Sequence, residues 1–122
     1  MKKFLLGLAA LTAMMTGLVL AADVGTKADT AAVRALDHQL YPNETAETVH
    51  VVGDYALLTW FTHPEGVGTH TFKRISGKRW KMILASGETE TSTSHLTKAG
   101  VPASVARQLC SGWAKGSSPC MN

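Results

Sequence analysis

The chain has 122 residues, 12 Lys and Arg against 9 Asp and Glu, a formal charge of +3 at pH 7 and two cysteines. No repeat, low-complexity tract or interdomain linker interrupts it, and a chain of about 100 to 150 residues is enough for one compact domain and too short for two. A multidomain machine and a disulfide-dense scaffold are excluded from the outset.

Met1, Lys2 and Lys3 form a positive start, Phe4 to Leu20 is apolar without a charge, and Val19-Leu20-Ala21 supplies the small residues a signal peptidase needs. Residues 1–21 therefore read as a signal peptide, with cleavage after Ala21 or Ala22 and a periplasmic or secreted product. A retained membrane anchor is the rival reading, weakened by the shortness of the run and by Gly7, Thr12, Thr16 and Gly17. No cysteine follows the run, so a lipid anchor is not indicated. Loss of Lys2 and Lys3 lowers the formal charge from +3 to +1, which removes most of the case for nucleic acid or a membrane surface as partner. Lys73, Arg74, Lys78, Arg79 and Lys81 then read as a solvated hairpin tip.

Residues 22–122 read as a single small α+β domain. Ala32, Val33, Leu36 and Leu40 share one helical face, which predicts a helix over Thr30 to Tyr41, capped by Asp29 or Thr30 and ended by Pro42. So short an amphipathic helix needs a sheet to lie on. That sheet is the antiparallel meander predicted from Val49 to Ala85, with turns at Gly53-Asp54, Glu65 to Gly68 and Ser76 to Arg79. A two-residue hairpin sets Val52 opposite Tyr55. A loop of four residues, Glu65 to Gly68, would set His63 opposite His70, Phe61 opposite Phe72, Trp60 opposite Lys73 and Leu58 opposite Ile75. The third turn would set Ile75 opposite Trp80 and Lys73 opposite Met82.

Alternation along the strands sorts these residues into two faces. One carries Val49, Val51, Ala56, Leu58, Trp60, Ile75, Trp80, Met82 and Leu84, with Lys73 lying along Trp60. The other is mixed, with His50, Val52, Tyr55, Leu57, Phe61, His63, His70, Phe72 and Arg74 among its members. It is half open, a partner surface or a shallow pocket.

Ser86 to Thr93 is a polar loop. Ser94 can cap a short helix to Ala99, Gly100 ends it, and Pro102 opens a second running to Leu109 or Cys110, whose Val101, Val105, Ala106 and Leu109 join the core beside the better sheet face. Cys110 and Cys120 read as a disulfide pinning the tail, contributing about 2 to 3 kcal/mol, with a pair of metal-binding thiols as the minor alternative.

No phosphate loop, Gly-x-Ser-x-Gly elbow, His-Glu-x-x-His or Cys-x-x-Cys occurs. The carboxylates fall mostly in turns, linkers and helix starts, which suits caps better than paired acid and base, so no catalytic residue is assigned. His63 and His70 frame the second hairpin loop and could share an ion with Glu88, or with Glu65, as third ligand. Such a set suits Cu(II), Zn(II) or Ni(II). Two exposed histidines framing a turn is the plainer reading.

Val52-Gly53-Asp54-Tyr55-Ala56-Leu57, Trp60, Lys73-Arg74, Gly77, Trp80, Gly87, Leu96, Lys98-Ala99-Gly100-Val101-Pro102 and Val105-Ala106 together resemble the small exported bacterial proteins called copper uptake system-associated. The resemblance spans about Val49 to Leu109 and rests on turn glycines, core aromatics and helix boundaries, with no catalytic residues to carry over. It implies an exported accessory or binding protein linked to copper uptake or handling, with copper as the only candidate cofactor and a copper-uptake component or another periplasmic protein as partner. His63, His70 and the Cys110 to Cys120 tail depart from the family pattern. Tyr55, Phe61 and Phe72 are the expected binding face. Two alternatives remain open here: a small secreted enzyme using His63 or His70 as base, and an interaction module unrelated to metal. The expected architecture is α+β: an N-terminal helix, a four-stranded antiparallel meander and one or two short C-terminal helices packed on the sheet, similar in general plan to cystatin or NTF2.

Overall fold

The structure, a computed structural model, describes residues 22–63, 66–87, 91–113 and 117–121. The predicted leader, Glu65 and Glu88 lie outside the described residues. Helix α1 (Lys27–Leu40) precedes a sheet of four strands, β1 (Thr45–Val52), β2 (Tyr55–Phe61), β3 (Val67–Ser76) and β4 (Arg79–Gly87), followed by α2 (Thr93–Lys98) and α3 (Ala103–Leu109). The strand order is sequential and every pair is antiparallel, so the architecture is the α+β arrangement expected. No helix among the described residues is long and apolar enough to cross a membrane.

Local chemistry sets the element ends. Helix α1 begins three residues earlier than predicted, because the Thr26 hydroxyl accepts from Asp29 N–H and caps it. Its buried stripe is Thr30, Val33 and Asp37, while Leu40 is exposed. Ser92, not Ser94, caps α2 by accepting from His95 N–H. Gly100, at φ 110°, turns the chain back so that Val101 N–H bonds to Leu96 C=O.

The first hairpin has the predicted register, Val52 opposite Tyr55. The second does not. Phe61 pairs with Val67, Leu58 with His70 and Ala56 with Phe72, so β3 is displaced by an odd number of residues from the expected pairing. An odd displacement exchanges the faces of every β3 side chain. Val67, Gly68 and Thr69 continue the strand instead of turning, and Gly68 is required there. A Cβ at Gly68 would stand 2.6 Å from Trp60 Cζ2 and 2.5 Å from the Ser86 carbonyl oxygen.

Two irregularities shape the pairing of β3 with β4. One, between Arg74 and Ser76, sets Arg74 opposite Trp80 and leaves Ile75 half exposed; the other, between Thr71 and Phe72, sets Thr71 opposite Leu84 and carries Leu84 to the other face. His70, Phe72 and Arg74 thus lie on the α1 side, and Lys73 does not.

Each face has its own core. Under α1, Val33 packs with Val49, Val51, Ala56, Leu58, Phe72 and Trp80. On the other side Leu57 packs with Leu96, Val101, Ala106 and Leu109, with Tyr55, Trp113 and both cysteines around them. The mixed face is therefore covered by the C-terminal segment, which corrects both its expected openness and the expected placing of α3. Cys110 and Cys120 are bonded to each other, as expected.

Candidate functional site: a buried histidine between two carboxylates

On the α1 side the exchanged register brings together three groups far apart in sequence. Asp37 projects inward from the buried stripe of α1, His70 from the middle of β3, and Glu44 from the connection between α1 and β1. Tyr41 N–H bonds to Asp37 C=O and Glu44 N–H bonds to Tyr41 C=O, so the chain folds back at the helix end and returns Glu44 toward the sheet. One donor atom from each of Asp37, Glu44 and His70 lies within 4.8 Å of the other two.

Burial defines what these groups can do. Asp37 is 1% exposed and His70 2%. His70 Nδ1 lies 2.6 Å from Asp37 Oδ1; the carboxylate oxygen accepts, so Nδ1 carries the proton. Nε2 lies on the far side of the ring, 3.6 Å from Glu44 Oε1. That separation is too long for a hydrogen bond. Glu44 Oε1 and Asp37 Oδ2 are both buried without a hydrogen-bond partner among the described residues. Burial pushes the Glu44 carboxyl above its ordinary value, the nearby Asp37 adds to that push, and His70 opposes it.

Aromatic rings hold the imidazole in place. Tyr41 stacks on His70 with ring centres 4.3 Å apart, Trp60 lies nearly parallel at 5.5 Å, and Phe72 meets it edge-on at 6.5 Å. A cleft of about 390 Å³ reaches this cluster, with Arg34, His38, Pro42 and Thr45 in its wall beside Asp37 and Glu44. Arg34 is already committed, donating twice to Asp23 and to the Ala46 and Glu47 carbonyls.

The expected site residues are dispersed. His70 faces Asp37 and Glu44; the observed pairing sets it opposite Leu58, and the expected cross-strand partner, His63, lies beyond the end of β2, exposed and edge-on to Phe61. His63 and His70 therefore do not form the expected pair, and their third partner, Glu88, is outside the described residues. Tyr55, Phe61 and Phe72 do not make one binding face either: Phe72 is fully buried beneath α1, while Tyr55 packs with the C-terminal core and its hydroxyl donates to Gly100 C=O.

Asp37 and Glu44 were missed because both read as helix-end and linker carboxylates. A signal for Asp37 was present: it falls four residues after Val33 and seven after Thr30, on the stripe that is buried. Glu44 carries no such periodicity.

His50 is also buried, stacked on Trp113 with centres 3.7 Å apart. Burial holds its imidazole below the ordinary value, against the opposing charge of Asp23. The chain matches no protein-family model, no curated protein and no solved structure.

Proposed function

We propose that this is an exported, non-catalytic accessory protein that binds a divalent transition-metal cation at Asp37, Glu44 and His70, and that it serves copper uptake or handling. The observation that carries the reading is the gap between His70 Nε2 and Glu44 Oε1. A carboxylate oxygen buried without a hydrogen-bond partner among the described residues stands 3.6 Å from an imidazole nitrogen, and a cation held between the two relieves it.

The donor chemistry fits such an ion. Imidazole and carboxylate suit Cu(II), Zn(II) or Ni(II), and both cysteines are consumed in the disulfide. Asp37 on Nδ1 is the outer partner that orients a ligating histidine and raises its basicity. The resemblance to copper uptake system-associated proteins favours copper among these ions, with a copper-uptake component or another periplasmic protein as the partner that receives it. Export is supported by the apolar leader together with the disulfide.

Calorimetric titration of the oxidised protein with Cu(II) and Zn(II), beside Glu44→Gln, His70→Gln and His63→Ala, tests the site. Binding lost in the first two variants and kept in the third is the expected result. Binding lost only in His63→Ala would move the site back to the hairpin loop, and no binding by the wild type would end the metal reading.

A further inference from the structure

The proposed site has one residue unlike the others. Asp37 is fixed in α1 and His70 in β3, but Glu44 sits on the connection between α1 and β1, tied back by one backbone bond to Tyr41. Glu44 also belongs to two places at once: it lines the cleft, and its Oε1 faces His70 Nε2. His70 is not part of the cleft wall. An ion entering by this cleft therefore reaches Nε2 beside Glu44, whose Oε1 faces it.

The wall of the same cleft holds a second, exposed imidazole. His38 follows Asp37 in the chain, lines the cleft, is exposed, and has no hydrogen-bond or ion-pair partner among the described residues. Its ring is thus available to a ligand. Two protein donors, Glu44 and His70, leave coordination positions open on an ion that takes four or more, and an open position is where an exchanging ligand enters.

Resting on the metal reading above, we infer that the cleft is a ligand-exchange path: an aquated divalent cation is captured by His38, passed to Glu44 and seated on His70, and it leaves by the same steps in reverse. The ion is cargo to be handed on. Each step replaces one coordinate bond with another, so the oxidation state is unchanged and no co-reactant is consumed. His38 acts on the route and not on the final complex. A group that lowers a barrier without touching either end state speeds loading and release equally and leaves the affinity where it was.

Stopped-flow fluorescence separates rate from affinity, because Trp60 lies 5.5 Å from His70 and reports a paramagnetic ion seated there. Cu(II) is mixed with the oxidised protein to follow loading, and EDTA with the loaded protein to follow release. Replacing His38 with Ala should slow both by about tenfold, a barrier rise of about 1.4 kcal/mol, and change Kd by less than about twofold. His63→Ala, an exposed histidine outside the cleft, should change neither. Unaltered rates in His38→Ala, with wild-type binding intact, would overturn the path. A rise in Kd matching that of Glu44→Gln would overturn it too, since His38 would then be a ligand of the final complex. Failure of the wild type to bind Cu(II) is a different result, which removes the site itself.

Discussion

The two faces of the sheet are built for different ends. The C-terminal side is an apolar core closed by a disulfide, in which the Tyr55 hydroxyl and the Trp113 indole N–H each find a backbone carbonyl. The α1 side has an apolar core at one end, in which the buried Trp80 indole nitrogen has no hydrogen-bond partner, and, at the other, two carboxylates and an imidazole with polar atoms left unpartnered among the described residues. Unpaired buried polar groups cost about 1 to 3 kcal/mol each. Among the described residues the C-terminal side leaves one such atom, Thr71 Oγ1, opposite Leu57 and Leu84, whereas the α1 side leaves Asp37 Oδ2, Glu44 Oε1 and the Trp60 and Trp80 indole nitrogens, so the heavier cost lies on the α1 side.

The largest test of that contrast is Phe72→Ala. Phe72 is 0% exposed beneath α1, so its truncation should cost about 3 to 5 kcal/mol in a urea melt. A change below about 0.5 kcal/mol, the usual size for a surface residue, would return Phe72 to the open face that the sequence-based register expects.

Removing the staple is the next test. Cys110→Ser with Cys120→Ser should cost about 2 to 3 kcal/mol, yet leave the Cu(II) affinity of the α1 side within about twofold. If affinity falls with stability, the two faces are coupled and the contrast fails. Comparable in size is the effect of the ion: Cu(II) at 100 times Kd should raise wild-type stability by about 2.7 kcal/mol. The same titration should leave the Glu44→Gln melt where it was.

The smallest effects are in pH, and the faces have opposite signs. Glu44 has a raised pKa in the folded metal-free protein, so the stability it contributes is present below the ordinary value of 4.5 and is lost as pH rises through the folded value. His50 is lowered, so its contribution is present above 6.5 and is lost as pH falls through the folded value. Stability measured from pH 4 to pH 8 should therefore flatten below 6.5 in His50→Gln and flatten above 4.5 in Glu44→Gln. A wild-type slope that survives His50→Gln unchanged would assign the acid sensitivity to another group. Asp23 is not that group: burial raises its pKa, the bonds from Arg34 and Val49 N–H more than offset that, and its contribution is lost only as pH falls below its ordinary 3.8.

What could be read from the chain was local. The Gly53-Asp54 hairpin, the amphipathic α1, the Gly100-Val101-Pro102 break between α2 and α3, and the cysteine pair each depend on a few neighbouring residues, and each stands in the structure. What could not be read was relational. Gly66 and Gly68 look like one turn in the sequence, but Gly68 is a strand residue, because the Trp60 ring and the Ser86 carbonyl occupy the space a side chain would need. That packing sets the β3 register. The register in turn decides that His70 meets Asp37 and Glu44 and not His63, and that Phe72 is core and not surface. Propensity and turn chemistry act over a few residues and gave the elements, whereas a site made from a helix, a connection and a central strand exists only once the pairing between strands is chosen.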